Sequence, residues 1–474
     1  MCLSVEATLA GATTLEVNGW SAVNSLPLSG TPPLWLGDDP IAGRLSCPPL
    51  TRLEGNPLIN APVLLKGPPV VEKEKSGERW TFTLRPGLKW WSGTAIDGNA
   101  LASWLADALP RVSQEKLGIS LAHAPSITAS GPLSATVQWS GSSPFGPYIF
   151  SGVSLARQSG KQYECAGLYA MKTSGRDLDL ELNSGYKAKY SRITLANESH
   201  GSPVPRISFK LASDITQATS TAMRVGSCQT KIDVPLVTAI AWNPTSPLAG
   251  SAPLRQALTM ITPRGDLLRT GAGELGALVS APILRIHPGY DPKILVRPYN
   301  LQAGSQIFEE NGFKQAHTGL PRTKSGDKNA VIHVGRLSGK QGLIEKVLGD
   351  SYASSGIEIQ FQDVGAGASS LDGVLFSTFL PWTSLDFRQI LKGPFPFAPV
   401  SDKSLSELAE AYSRSLTELK PDTGILSKIH ERWKDVEPWT MLMSHQYCVV
   451  GDGIKITAKI NVMDPDWFRH LTVD

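Results

Sequence analysis

Residues 80–109 read WTFTLRPGLKWWSGTAIDGNALASWLADAL, and this stretch decides how the chain is built. Trp80–Arg85 alternates large apolar residues with small or charged ones, the period of a half-buried strand. Pro86-Gly87 breaks that strand, Leu88–Trp91 resumes it, and Ser92-Gly93-Thr94 is a turn cluster. Asp97 stands where its carboxylate can accept the free backbone N–H groups of a first helical turn. Leu101, Trp104, Leu105, Ala108 and Leu109 follow at helical spacing, and Pro110 is expected to stop the helix. The stretch therefore reads as strand, turn, strand and capped helix.

Working outward, the 474 residues suffice for about three domains around large cores. Hydrophobic residues make up 41% and charged residues 18%, a globular balance. The formal net charge of +3, with no Lys/Arg-rich run to focus it, gives no footing for nucleic acid as a partner. No stretch approaches the ~18 apolar residues of a membrane-spanning helix.

Chemistry-bearing motifs are sparse. Five cysteines (Cys2, Cys47, Cys165, Cys228 and Cys448) form no CxxC pair, and a chain of this size needs no disulfide framework. Buried free thiols are the default expectation; if a pair is oxidised, Cys165–Cys228 is the first candidate. The eight histidines never pair at i, i+2 or i, i+4, so no metal site is expected. Gly335-Arg-Leu-Ser-Gly339-Lys340-Gln341 imitates a phosphate loop, but it has three residues between its glycines where four are needed, and Gln341 where Ser or Thr would bind Mg²⁺. Neither GxSxG nor HExxH occurs, so nothing specific supports an enzyme, and no cofactor is expected. MCLSVEATLAGATTLEV lacks the basic start and apolar core of a signal peptide, and Cys2 is a candidate lipid-bearing cysteine.

The order LRPGLKWWSGTAIDGNAL resembles the signature of the extracytoplasmic solute-binding proteins of family 5, which serve peptide and nickel ABC transporters. Leu84, Arg85, Gly87, Trp90 and Gly93 match, while Ser92, Ala95 and Ala100 depart from the usual Asp, Pro and Asp. Further matches fall in order: CPPLTRL in Ile41–Leu53, SATVQW at Ser134–Trp139, Gly167 and Tyr169, Lys231-Ile232-Asp233, Arg255-Gln256-Ala257 with Arg264, and Ser355-Gly356 before Ile357–Phe361. Helices are read at Asp214–Val225, Ser251–Met260, Leu301–Gly312, Gln341–Ala353, Leu405–Leu416 and Ile425–Trp433, with strands at Thr14–Val17 and Lys231–Asp233, a strand end at Ile240–Asn243, and a return as strands over Thr440–Val450.

The resemblance implies an α/β fold of two periplasmic-binding-protein-like lobes with a hinge and an extra inserted small domain. It divides the chain into 1–45 (domain I, first part), 46–164 (domain II, inserted), 165–240 (domain I, second part), 241–440 (domain III, the second lobe) and 441–474 (return to domain I). It implies a peptide or peptide-like small molecule trapped between the lobes, ABC permease subunits as partners, a monomer, and a periplasmic or cell-surface lipoprotein location. Peptide binders of the family hold the ligand's ammonium with an aspartate; Pro381 stands near that place, so the clamp is missing here. Trp382 is the first candidate for ligand contact, with Phe376, Phe379 and Thr378 in the same region; Trp35, His445 and Arg388 follow. Core packing is the competing role for each aromatic, and a surface ion pair for Arg388. The alternative function is the sensor domain of a transcription regulator built on the same fold, although no helix-turn-helix pattern precedes it.

Overall fold

A computed structural model of the chain describes residues 14–18, 42–452, 454–456 and 471–473, apart from residues 55–57, 161, 175–176, 184–185, 187–189, 197–205, 211–227, 272–274, 286, 288–289, 318–319, 325–327, 338–341, 365–369, 381–386 and 394. The helix read at Asp214–Val225 and the candidates Trp35 and Trp382 lie outside the described residues.

After β1 (Thr14–Asn18) and the short α1 (Ala42–Ser46), the chain forms the hairpin β2 (Thr51–Glu54)–β3 (Ile59–Pro62). It then builds a four-stranded antiparallel sheet from β4 (Val70–Glu74), β5 (Gly77–Thr83), β6 (Ser126–Gly131) and β7 (Ser134–Trp139), in the order β4-β5-β7-β6. Trp80 and Phe82 of β5 and Val137 and Trp139 of β7 point to one face, as strand alternation requires. That face is covered by α2 (Gly98–Leu117), whose Leu101, Trp104, Leu105, Ala108 and Leu109 are buried. Asp97 caps the helix, accepting from the Ala100 amide at 2.8 Å. Leu88–Trp91 forms no strand; only the bridge Lys89–Ala95 forms there, because Gly93 (φ +85°) turns the chain back on itself.

Pro110 does not end α2. The helix runs on to Leu117 and closes at Gly118 in the left-handed conformation (φ 67°). The last turn is held by burial of Val112 and Leu117 and by the Lys116 ammonium, which donates to the Ile149 and Ser151 carbonyls at 3.1 and 2.8 Å. Those contacts offset the hydrogen bond that proline cannot give.

Next come the hairpin β8 (Ala156–Ser159)–β9 (Gln162–Cys165) and the strands β10 (Tyr169–Ser174), β11 (Asp177–Leu182), β12 (Arg192–Ala196), β13 (Arg206–Lys210) and β14 (Thr230–Trp242). The second half adds α3 (Ala252–Met260), α4 (Arg264–Gly271), β15 (Gly276–Ala277), α5 (Leu301–Glu310), the short β16 (Thr323–Lys324) and β17 (Lys328–Asn329), β18 (Val331–Arg336), α6 (Gly342–Ser354), β19 (Glu358–Asp363) and β20 (Gly373–Phe379). It closes with α7 (Phe387–Lys392), α8 (Lys403–Ser415), α9 (Thr423–Val436), β21 (Trp439–Asp452), β22 (Ile454–Ile456) and β23 (Leu471–Val473).

One mixed sheet of eleven strands runs β10-β11-β12-β1-β13-β21-β14-β20-β18-β19, with β15 on β21. β14 and β21 are its long central pair, of 13 and 14 residues, and they belong to both halves. Toward one side they carry Ile232, Val234, Tyr447 and Val449 into a core with Leu15, Leu180 and Ile193. Toward the other they carry Ile240, Trp242, Leu442 and Met443 into a second core with Leu258, Ile332 and Leu348. Lys231–Asp233 and Ile240–Trp242, which read as separate strands, are thus the two ends of one strand that passes between lobes.

The cysteines also depart from expectation. Cys165 is bonded to Cys47, not to Cys228, and Cys228 is bonded to Cys448. The first bond ties the end of α1 to β9; the second ties the segment entering β14 to β21. Sequence spacing carries no information on which distant strands lie side by side, which is why neither pairing was legible.

Candidate functional site

Where β14 and β21 pass from one lobe to the other, their pairing slips. Asp233 faces Gln446 and Val237 faces Ser444, so Val234, Pro235 and Leu236 stand against His445 alone. Such an extra-residue bulge bends a strand and re-aims its side chains. Pro235 belongs here because it has no N–H for the ladder; its carbonyl accepts from the Leu380 amide at 2.7 Å. On β21 the Gln446 side chain donates to Asp233 Oδ1 at 2.7 Å, and its backbone N–H donates to the Leu275 carbonyl.

Beside the bulge lies a polar trio. Thr238 Oγ1 is 2.8 Å from His445 Nε2 and 2.8 Å from Ser377 Oγ, joining β14, β21 and β20. Thr238 is buried, whereas Ser377 and His445 are half-buried. Desolvation lowers the His445 pKa to about 4, so at neutral pH the ring is uncharged, with one nitrogen donating and the other accepting. The trio therefore offers hydroxyl and imidazole groups without formal charge, at the seam between two apolar cores.

Of the residues singled out in the sequence, the structure places His445 at this seam. Thr378 is next to Ser377 but pairs with Val237, and alternation turns it to the opposite face of β20 from the trio. Phe379 pairs with Leu236 at the end of β20. Arg388 is half-buried in α7. Phe376 is core: it is buried and packs edge-on against Trp439, with ring centroids 5.0 Å apart. Thr238 and Ser377 were missed. Their signal was present: Thr238 is the lone hydroxyl in VPLVTAIAW, and Ser377 interrupts the apolar run GVLF. A single polar residue in a strand buried on both faces needs a partner.

A second Ser–His contact, Ser280 Oγ to His430 Nε2 at 2.6 Å, is buried on both sides. Desolvation is the first cause lowering the His430 pKa to about 4, with Lys434 adding to it. Enclosed in this way, the contact serves packing. Among the described residues no three His, Cys, Asp or Glu side chains come together as a metal site. Asp372 also serves the fold, accepting from Ser246 Oγ at 2.5 Å and from the His333 amide at 2.8 Å, which fixes the loop that enters β20.

Solved structures match this arrangement over nearly its whole length. The oligopeptide-binding protein AppA from Bacillus subtilis, solved with a nonapeptide, superposes with a TM-score of 0.67 at 14% identity, over 98% of this chain and 99% of its own. NikZ from Campylobacter jejuni, solved with Ni(L-His), gives 0.69 at 13% identity, over 97% and 99%. The ABC transporter substrate-binding protein CtaP from Listeria monocytogenes gives 0.69 at 14%, over 98% and 99%. The fold is that of the two-lobed solute-binding proteins. No family model and no curated protein matches the sequence.

Proposed function

We propose that the protein is the solute-binding component of an ABC importer, trapping a peptide or peptide-like small molecule between its lobes for delivery to a membrane permease. The observation that carries this reading is the seam itself: two long strands pass between lobes through a bulge, and a trio of buried Thr238 with half-buried Ser377 and His445 sits beside it. A hinge that closes on a ligand needs strands that can bend at one place, and a cleft needs a few fixed polar groups among apolar ones. Neighbours of the same fold were solved in complex with a nonapeptide and with Ni(L-His).

In this reading His445 contacts the ligand, and Trp382, Phe379, Thr378, Trp35 and Arg388 are the further residues to test. Residues 1–45, 165–240 and 441–474 form the first lobe, 46–164 the inserted domain and 241–440 the second lobe. Binding involves no covalent chemistry. The location is extracytoplasmic, periplasmic or at the cell surface, which the two disulfides support because such bonds persist in oxidising compartments. The protein works as a monomer.

The test is a melting screen with a tripeptide library and a set of metal–histidine chelates, repeated with His445→Ala. Binding to the folded state raises the melting temperature by mass action, by about 2.7 kcal/mol of stability at a hundredfold excess over Kd. A hit whose shift shrinks in His445→Ala supports the seam as the site. A hit indifferent to His445, Trp382 and Thr378 places the ligand elsewhere.

A further inference from the structure

The inserted domain touches both lobes, and its two joints differ in kind. Toward the first lobe, Asn183 Nδ2 donates to the Trp90 carbonyl at 2.9 Å, the Lys89 amide donates to the Tyr186 hydroxyl oxygen at 3.2 Å, and Trp91 packs against the first-lobe core. The Cys47–Cys165 bond closes the same corner covalently. This joint is broad and cross-linked.

Toward the second lobe the polar contacts gather on one loop, Leu416–Leu419, which follows α8, while α2 itself lies beside α8. Asn60 of β3 grips it: the side-chain amide donates to the Leu416 and Glu418 carbonyls at 3.2 and 2.5 Å, and the backbone amide donates to the Leu419 carbonyl at 2.9 Å. From the turn after β7, the Gly146 amide donates to Thr417 Oγ1 at 2.8 Å and the Tyr148 amide to the Thr417 carbonyl at 3.0 Å. Gly146 admits the loop because it has no side chain; a Cβ there would stand 2.2 Å from the Thr417 carbonyl oxygen and 2.9 Å from Glu418 Oε1. Leu53 and Leu58, at the ends of the β2–β3 turn, are buried with Tyr412, Leu416 and Leu426 of the second lobe.

We propose that this second joint is a latch: the inserted domain holds loop 416–419 when the lobes are closed, and lets it go when the hinge at Val234–Leu236 opens. It rests on the reading that the two lobes close on a ligand. The chemistry suits a reversible contact. Every polar bond named across it is between uncharged groups, with backbone groups on at least one side, and water satisfies those equally well when they part. Asn60 Oδ1 is buried in the joint without a hydrogen bond, a cost relieved on opening. Neither disulfide crosses it. Leu53 and Leu58 oppose opening, so the latch biases the ligand-free protein toward the closed form and lowers the population the ligand must shift.

The test uses the full chain without ligand. Gly146→Ala drives a methyl group into loop 416–419, and Asn60→Ala removes two of the grips; Asn183→Ala, at the first-lobe joint, is the control. Small-angle scattering and hydrogen exchange read the result. A compact chain of this length has a radius of gyration of roughly 23 Å. The latch predicts that Gly146→Ala and Asn60→Ala expand the protein above the wild-type radius and speed exchange at the Gly146 and Tyr148 amides by about tenfold or more, while Asn183→Ala does neither. If Gly146→Ala does not fold, Thr417→Val, which loses the acceptor for Gly146, takes its place. Unchanged radius and exchange, with only a lower melting temperature, overturn the latch and make the joint a fixed interface. A wild type that binds a tripeptide or chelate while Gly146→Ala stays closed overturns the latch alone. A wild type that binds nothing and keeps one radius in every variant overturns the binding reading as well.

Discussion

Glu437 carries a buried charge network in the second lobe. It closes α9 in the left-handed conformation (φ 46°), the only described residue other than glycine at positive φ, and its side chain turns inward until the residue is 3% exposed. Arg297 Nε donates to its Oε1 at 2.8 Å, and Thr259 Oγ1 donates to its Oε2 at 3.2 Å. Thr259 passes the contact on to Thr440 at 2.7 Å, and Trp242 Nε1 donates to the same Thr440 oxygen at 2.9 Å. Arg264, also buried, lies within the field of Glu437 and donates to the Arg297, Val279 and Met441 carbonyls. Burial lowers the Arg264 pKa to about 10 and raises that of Glu437, so both charges are held at a desolvation cost that their mutual attraction offsets. Glu437→Gln keeps the shape and removes the charge. It loses one charge-assisted hydrogen bond, about 1.5–3 kcal/mol, and leaves two desolvated guanidinium groups without a counter-charge. Breaking a buried pair in this way costs about 3–5 kcal/mol, a large part of the roughly 5–15 kcal/mol that holds a domain. Pairing Glu437→Gln with Arg297→Met removes both ends and should cost clearly less than the sum of the singles. Scanning calorimetry reads this as a downward shift of the transition containing the second lobe. A shift equivalent to less than about 1 kcal/mol, or strict additivity in the double variant, refutes the reasoning.

Three further outcomes follow from named contacts. The Cys47–Cys165 bond closes 118 residues; chain entropy for a loop near 100 residues is worth about 4.7 kcal/mol, so Cys47→Ser/Cys165→Ser should melt well below the wild type, and equal melting temperatures count against the pairing. Asp402 caps α8 through the Leu405 amide at 2.8 Å and takes a two-pronged contact from Arg432, and that Arg432 bond is the first cause holding its pKa below the usual carboxylate value. A depressed folded pKa stabilises above the unfolded value and is lost as pH falls through the folded one. Asp402→Asn, which still caps the helix but loses the Arg432 ion pair, should therefore melt lower than wild type at pH 7, by up to about 1 kcal/mol, and the gap should close on acidification below the ordinary aspartate range; a gap that widens in acid contradicts this. Pro110 is exposed inside α2 and leaves the Ala106 carbonyl without its helical N–H. Pro110→Ala should raise stability by about 1–3 kcal/mol, read in urea melts of the full chain through the transition of the inserted domain; a loss would show that the proline sets a bend the domain needs.

Local chemistry made much of this fold legible. Asp97, the alternation of Trp80 and Phe82, and the five apolar residues of α2 state their roles within a few positions, and the strand at Trp80 with its capped helix formed as expected. Pro110 misled because its rule is local while the contacts that carry the helix past it, from Lys116 to residues 149 and 151, are not. The long central strands were seen as fragments, since Pro235 looks like a terminator until a bulge gives it a place. The same limit applies to the site. His445 was singled out as a candidate, but Thr238 and Ser377 meet it only through the order of β20, β14 and β21, which no spacing in one chain reveals. The disulfides are of the same kind, joining residues 118 and 220 positions apart. Residues 381–386 lie outside the described part, so Trp382 rests on the resemblance alone.

Native mass spectrometry of the purified protein, followed by denaturing release of whatever it carries, tests the binding role most directly. A two-lobed binder should retain a peptide or a small peptide-like molecule at one copy per chain, released on unfolding and raising the melting temperature again when added back. A protein that is empty in the native spectrum and ignores peptides and metal–histidine chelates in the melting screen contradicts that role.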